Sequence, residues 1–126
     1  MTMHLEHVNI TVNDPKDMAQ ILMDLFDWKI RWEGSAKDNG YTVHVGDDDG
    51  YLALYSPRKD LKSLESSYVT QAGLNHIGVV VPDIKATEAR VVNSGYTPHN
   101  HADYEPGVRF YFDGPEGIEF EVVSYA

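Results

Sequence analysis

The chain has 126 residues, 42% of them hydrophobic, enough for one compact domain, while each half of about 60 residues would bury too little apolar surface to be comfortable alone. Twenty acidic residues against ten basic ones leave a formal net charge of -10, which repels phosphate backbones and anionic bilayers, so neither nucleic acid nor a membrane is an expected partner. With no cysteine there is no disulfide framework and no thiolate metal site, and any metal has to be held by imidazole and carboxylate.

Residues 5–12 alternate as a strand, with Val8, Ile10 and Val12 on one face and Leu5, His7, Asn9 and Thr11 on the other. Asp14-Pro15 is a helix start, a capping carboxylate followed by a proline whose missing N–H costs nothing at the first helical position. Met18, Ile21, Leu22, Leu25 and Phe26 then form a buried helical stripe. Three strands are predicted next, over residues 28–33, 41–45 and 51–55, with turns at Gly34-Ser35, Asn39-Gly40 and the solvated corner Asp47-Asp48-Asp49-Gly50. Trp28 and Trp32 share one face of the first of these. Residues 57–72 are polar and aperiodic, and read as a linker with room for a short surface helix.

The chain then repeats itself. Leu5-Glu6-His7-Val8 returns as Leu74-Asn75-His76-Ile77, and the same offset pairs Ile10 with Val79, Val12 with Val81 and Asp14 with Asp83. A second helix runs through Ile84, Val91 and Val92 and stops at Gly95, suited to a left-handed cap, and strands near Tyr96, over 108–112 and over 118–124 complete the copy. Both halves, residues 4–56 and 73–126, read β-α-β-β-β, which gives an α+β domain. Nothing at the N-terminus reads as a signal peptide and no apolar run approaches the ~18 residues of a membrane helix, so a soluble cytoplasmic protein is expected.

In the last strand Ile118, Phe120 and Val122 share a face, so Glu119, Glu121 and Val123 point the other way. Aligning Gly50 with Gly117 makes Leu54 the first-half counterpart of Glu121. The inventory is two histidines and one carboxylate, although Glu121 could equally pair with Arg109.

His7 and His76 in the opening strands, the paired modules and the run Phe110-Tyr111-Phe112-Asp113-Gly114-Pro115-Glu116-Gly117-Ile118-Glu119-Phe120-Glu121 together resemble the vicinal oxygen chelate superfamily. That group includes glyoxalase, extradiol ring-cleavage dioxygenases, fosfomycin-resistance enzymes and bleomycin-binding proteins. The resemblance implies a curved eight-stranded sheet around a cavity, a homodimer, and a divalent metal on His7, His76 and Glu121. Glyoxalase-like members use a fourth protein ligand, which Leu54 cannot supply. Three ligands leave about three positions open on an octahedral ion, the dioxygenase arrangement, and favour iron(II) or manganese(II) over zinc or nickel. Tyr111 matches a substrate-contacting tyrosine of the family, and His101, in the loop 98–101, loosely matches the acid/base histidine of extradiol enzymes. Arg109 is the one obvious cation near the motif, so phosphonate chemistry ranks lower.

The rival from another class is a metal-free binder of the bleomycin-sequestering type, stacking a small molecule on Trp28, Trp32 and Tyr51. Lyase or isomerase chemistry at the same metal is a further alternative. His4, His44 and His99 read as structural or solvated.

Overall fold

The computed structural model describes residues 2–63, 66–104 and 107–126. Two compact units, Met1–Leu61 and Lys62–Ala126, make up the chain. Each is a four-stranded mixed sheet with one helix on one face.

The first unit contains β1 (His7–Thr11), α1 (Pro15–Phe26), β2 (Lys29–Ala36), β3 (Gly40–Gly46) and β4 (Tyr51–Ser56), in sheet order β1-β4-β3-β2. β1 runs parallel to β4, and the other pairs are antiparallel. The Asp14 carboxylate accepts from the Asp17 amide at 3.1 Å, and Pro15 opens the helix as its fixed φ permits. Met18, Ala19, Leu22 and Leu25 then pack onto Val43, Val45 and Leu54 of the sheet, all of them buried. Burial of each large side chain contributes about 1.5–3 kcal/mol.

The second unit repeats the plan with β5 (Ile77–Val80), α2 (Ile84–Asn93), β6 (His99–Tyr104), β7 (Gly107–Asp113) and β8 (Glu119–Ser124), in order β5-β8-β7-β6. Asp83 caps α2 through the Ala86 amide at 3.1 Å, as Asp14 does for α1. Gly95 follows the helix at φ 93°, a conformation costly for any residue with a Cβ. Val91, Phe110, Phe112, Phe120 and Val122 are fully buried, and the rings of Phe112 and Phe120 stack at 5.3 Å.

The strand pairing corrects several details of the sequence reading. Gly34 and Ser35 lie inside β2 rather than in a turn, paired with Thr42 and Tyr41 of β3, and the Trp32 indole lies across Gly34, 2.9 Å from where a Cβ would stand. The turn comes later, at Lys37–Asn39, where Asp38 and Asn39 adopt positive φ. Trp28 and Trp32 do not share a face: Trp28 packs on Phe26, Trp32 lies against His44, and a register shift separates Ile30 from Trp32. The second strand of the second module begins at His99 rather than near Tyr96. His99 and His101 therefore sit on a polar edge strand, whose lack of apolar periodicity disguised it as a loop.

Ala53, not Leu54, is the counterpart of Glu121. His44 faces Ala53 nine positions on, whereas Tyr111 faces Glu121 ten positions on, so the β7–β8 hairpin is one residue longer. A one-residue slip turns a side chain to the opposite face, and Leu54 accordingly lies buried in the core. Ala53 has no donor either. Near the start of the second unit, residues 66–73 form hydrogen-bonded turns, and residues 64 and 65 of the expected linker lie outside the described ones. Among the described residues no helix is long and apolar enough to cross a membrane.

Phe112→Ala should cost about 3–5 kcal/mol in urea unfolding, through lost transfer energy and the cavity left between Phe110 and Phe120. Asp14→Ala and Asp83→Ala should cost about 1 kcal/mol each through the lost caps.

Candidate functional site

The face of the second sheet turned away from α2 carries Arg109, Tyr111 and Asp113 from β7 and Glu119 and Glu121 from β8, because these residues alternate with Phe110, Phe112, Phe120 and Val122. His76 precedes β5 and reaches the same face, its Nε2 lying 3.0 Å from Glu121 Oε1. The other Glu121 oxygen accepts from the Arg109 guanidinium at 2.8 Å, and both of those side chains are largely buried. Tyr111, directly opposite Glu121 in the register, sets its ring edge-on to His76 at 5.6 Å. His76 Nδ1 donates to the Asn75 side-chain oxygen at 2.6 Å. With Nδ1 so engaged, the Nε2 contact with a carboxylate requires a second proton or a cation. Ligands at about 2.1 Å from an octahedral ion stand about 3.0 Å apart when adjacent, so the separation fits a shared ion.

The corresponding face of the first sheet is aromatic. His7 and His44 each stack on Tyr51, at 4.9 and 4.6 Å, and Trp32 leans on His44 at 5.4 Å. The Arg31 guanidinium lies 4.7 Å from the Tyr51 ring centre, a cation–π contact. His7 Nδ1 donates to Glu6 Oε1 at 2.8 Å, so here too the residue before the histidine holds Nδ1 and turns Nε2 outward. That hydrogen bond draws the Glu6 carboxyl below its ordinary range, and desolvation, helped by Glu6, raises the Tyr51 hydroxyl. Burial first, then the charges of His7 and Arg31, lower the His44 imidazole.

The family model for the glyoxalase/bleomycin resistance protein/dioxygenase superfamily matches residues 4–122. The chain belongs to this superfamily. None of the curated proteins matches it significantly. Among solved structures it is similar to a glyoxylase/bleomycin resistance protein/dioxygenase domain from a Frankia species, at 19% identity over 98% of both chains with a TM-score of 0.81. It is also similar to the fosfomycin resistance protein FosX of Mesorhizobium loti, at 23% identity over 98% of this chain and 92% of that one, with a TM-score of 0.72. The antibiotic-binding protein TnmS3 of a Streptomyces species aligns at 12% identity over 99% and 98%, with a TM-score of 0.75. These likenesses establish the superfamily's α+β fold of two βαβββ modules.

Within the second unit, three of the residues named from sequence, His76, Tyr111 and Glu121, come together. His101 does not join them. Its Nε2 contacts Glu88 of α2 at 2.7 Å and its ring lies over Phe110, on the helix side of the sheet. His44 was missed, although the hairpin offset that pairs Gly50 with Gly117 also pairs His44 with Tyr111. From sequence Arg109 reads as a rival partner for Glu121 and as the one obvious cation near the motif, and Asn75 and Glu6 only as letters of the repeat.

A histidine with a lowered pKa favours folding while it is neutral. The His44 contribution should therefore be complete above the unfolded value of about 6.5 and fall away as pH drops through the lower folded value. Thermal melts of His44→Phe, which retains a stacking ring, should lose part of the destabilisation seen in the parent below about pH 6.5.

Proposed function

We propose that this superfamily member is a metal-dependent enzyme acting on a small oxygen-bearing substrate, with His7, His76 and Glu121 as ligands of a divalent ion. The observation that carries the reading is the treatment of the two imidazoles. In each module the side chain preceding the histidine takes Nδ1, which fixes the tautomer and leaves the Nε2 lone pair outward, the usual second-sphere support of a metal-bound histidine. The 3.0 Å separation of His76 Nε2 and Glu121 Oε1 adds a fit to adjacent coordination positions.

When bound, the ion would supply Lewis acidity to substrate oxygens. Iron(II) or manganese(II) suits the mixed imidazole and carboxylate set ahead of zinc or nickel. Arg109 holds the second Glu121 oxygen and so would leave the first one for the ion, while Tyr111 presents a phenol beside His76 that can donate to a negatively charged oxygen of the substrate. Extradiol-like oxygenation is the first reading of the open coordination positions, with lyase or isomerase chemistry at the same ligands second. Absence of cysteine suits a cytoplasmic setting. Val80, 65% exposed on the edge strand β5, supports pairing into a homodimer.

One observation favours a metal-free binder instead. The ring series His7, Tyr51, His44 and Trp32 offers a stacking surface for a planar guest, with Trp32 53% exposed, and TnmS3, described as an antibiotic-binding protein, shares the fold. Protein purified without chelator separates the readings. Near-stoichiometric iron or manganese is expected, with Glu121→Gln and His76→Ala weakening metal affinity at least tenfold and Asn75→Ala and Glu6→Ala by about 10–100-fold. Affinity unchanged in Glu121→Gln overturns the enzyme reading. A metal-free protein that takes up a planar aromatic cation, and loses it in Trp32→Ala, establishes the binder.

A further inference from the structure

A second group of metal-ligating side chains stands on the same face of the second unit, outside the pair formed by His76 and Glu121. His99 of β6, Asp113 at the end of β7 and Glu119 at the start of β8 each offer a ligand atom, and the three atoms lie within 4.8 Å of one another. The register brings them together: His99 pairs with Tyr111, Asp113 follows Tyr111 by two residues on the same face, and Asp113 pairs directly with Glu119.

Two features of this cluster are unfavourable unless a cation joins it. Like charges directly opposite on adjacent antiparallel strands repel, and Asp113 and Glu119 form such a pair. The His99 Nε2 atom is shielded from solvent and has no hydrogen-bond partner among the described residues, its approach to Asp113 Oδ2 being 3.7 Å. A lone pair on that nitrogen facing two carboxylates is one imidazole and two hard oxygens, a donor set that binds a divalent ion and neutralises the acid pair. Tyr68 adds an outer contact by donating its hydroxyl to Glu119. Ligands on opposite sides of a 2.1 Å coordination shell stand about 4.2 Å apart. Closing the cluster to that size requires a rotation of Asp113, whose side chain is 71% exposed and so has room to turn.

We propose that His99, Asp113 and Glu119 form a second divalent-cation site, of the manganese(II) or zinc(II) class, separate from the His76 and Glu121 pair. The donor set favours these ions because imidazole selects against calcium and magnesium, while two carboxylates suit manganese as well as zinc. With Asp113 and Glu119 at the two ends of the turn Pro115–Gly117, the ion ties the base of the β7–β8 hairpin, and its role is to hold the strands that carry Tyr111 and Glu121.

Manganese chloride alone is the probe. Chelator-stripped protein is titrated while the free manganese signal is followed by electron paramagnetic resonance, and thermal melts are recorded with and without the metal. In a Glu121→Gln background one equivalent should still bind and raise the melting temperature. Adding Asp113→Asn or, independently, His99→Gln should weaken that equivalent at least tenfold and abolish the rise. Without metal, Asp113→Asn should melt no lower than its parent, since it removes a like-charge pair. Binding unaltered by both added substitutions, or no binding at all in the Glu121→Gln background, overturns the proposal. A parent that binds one equivalent in total, lost in Glu121→Gln and retained in Asp113→Asn, defeats this site and leaves the first intact, whereas one equivalent in total that is retained in Glu121→Gln and lost in Asp113→Asn upholds this site and defeats the first.

Discussion

Successive residues of a strand face opposite ways, and in both sheets one face must be covered by a helix. That constraint sets the positions of the polar groups. In β7, Phe110 and Phe112 turn toward α2, which leaves Arg109, Tyr111 and Asp113 on the far side. In β8, Phe120 and Val122 do the same for Glu119 and Glu121. Moving either strand by one position would put carboxylates into the core and phenylalanines into water, at a cost of several kcal/mol per inverted pair. The register that packs the core is therefore the register that aligns the donors. Core packing and site geometry are one determinant, so a cavity beneath Phe112 and a misplaced Glu121 are linked consequences of the same loosening.

Above that scaffold, the charges on the second sheet are arranged in opposed pairs. Arg109 and Glu121 form a largely buried ion pair whose two charges cancel, which limits the desolvation cost of keeping a carboxylate on a sheltered sheet face. Because the guanidinium engages Oε2, Oε1 stays directed at His76. The imidazole is restrained from behind by Asn75. Each of the two groups thus has one atom fixed by a neighbour and one atom left to do chemistry, the condition under which an ion or a substrate oxygen meets little reorganisation.

Much of this was legible in the residues. Both Asp caps, the helical stripes and the repeated histidine are local signals, and local signals survive folding. What escaped lies in how the strands pair. Gly34 reads as a turn residue, but its pairing with Thr42 of β3 holds it inside β2. β6 looked like a loop because an edge strand with His99, Asn100 and His101 has no apolar period to betray it. Aligning Gly50 with Gly117 pairs Leu54 with Glu121, one position out, because the hairpin is one residue longer in its second copy. His101 illustrates the remaining limit: its spacing to Tyr111 suggested a shared site, yet the face it occupies is decided by an irregularity between His99 and Ala102 that no spacing rule contains.

The two modules also differ in an instructive way. At equivalent register positions the first unit has His44, Tyr51 and Ala53 where the second has Tyr111, Glu119 and Glu121. One open face is thus aromatic and basic, the other acidic, although the strands beneath keep the same order and pairing. The histidine is common to both, and so is its Nδ1 partner, supplied by a glutamate in one copy and an asparagine in the other. Stacking does not explain that shared feature, since His7 lies flat on Tyr51 while His76 meets Tyr111 edge-on. An imidazole required only for packing has no need of a fixed tautomer. One required as a ligand does, because the outward nitrogen must carry a lone pair rather than a proton. The clamp that recurs while the ring environment changes is for this reason the feature that favours coordination over stacking as the common role of the two histidines.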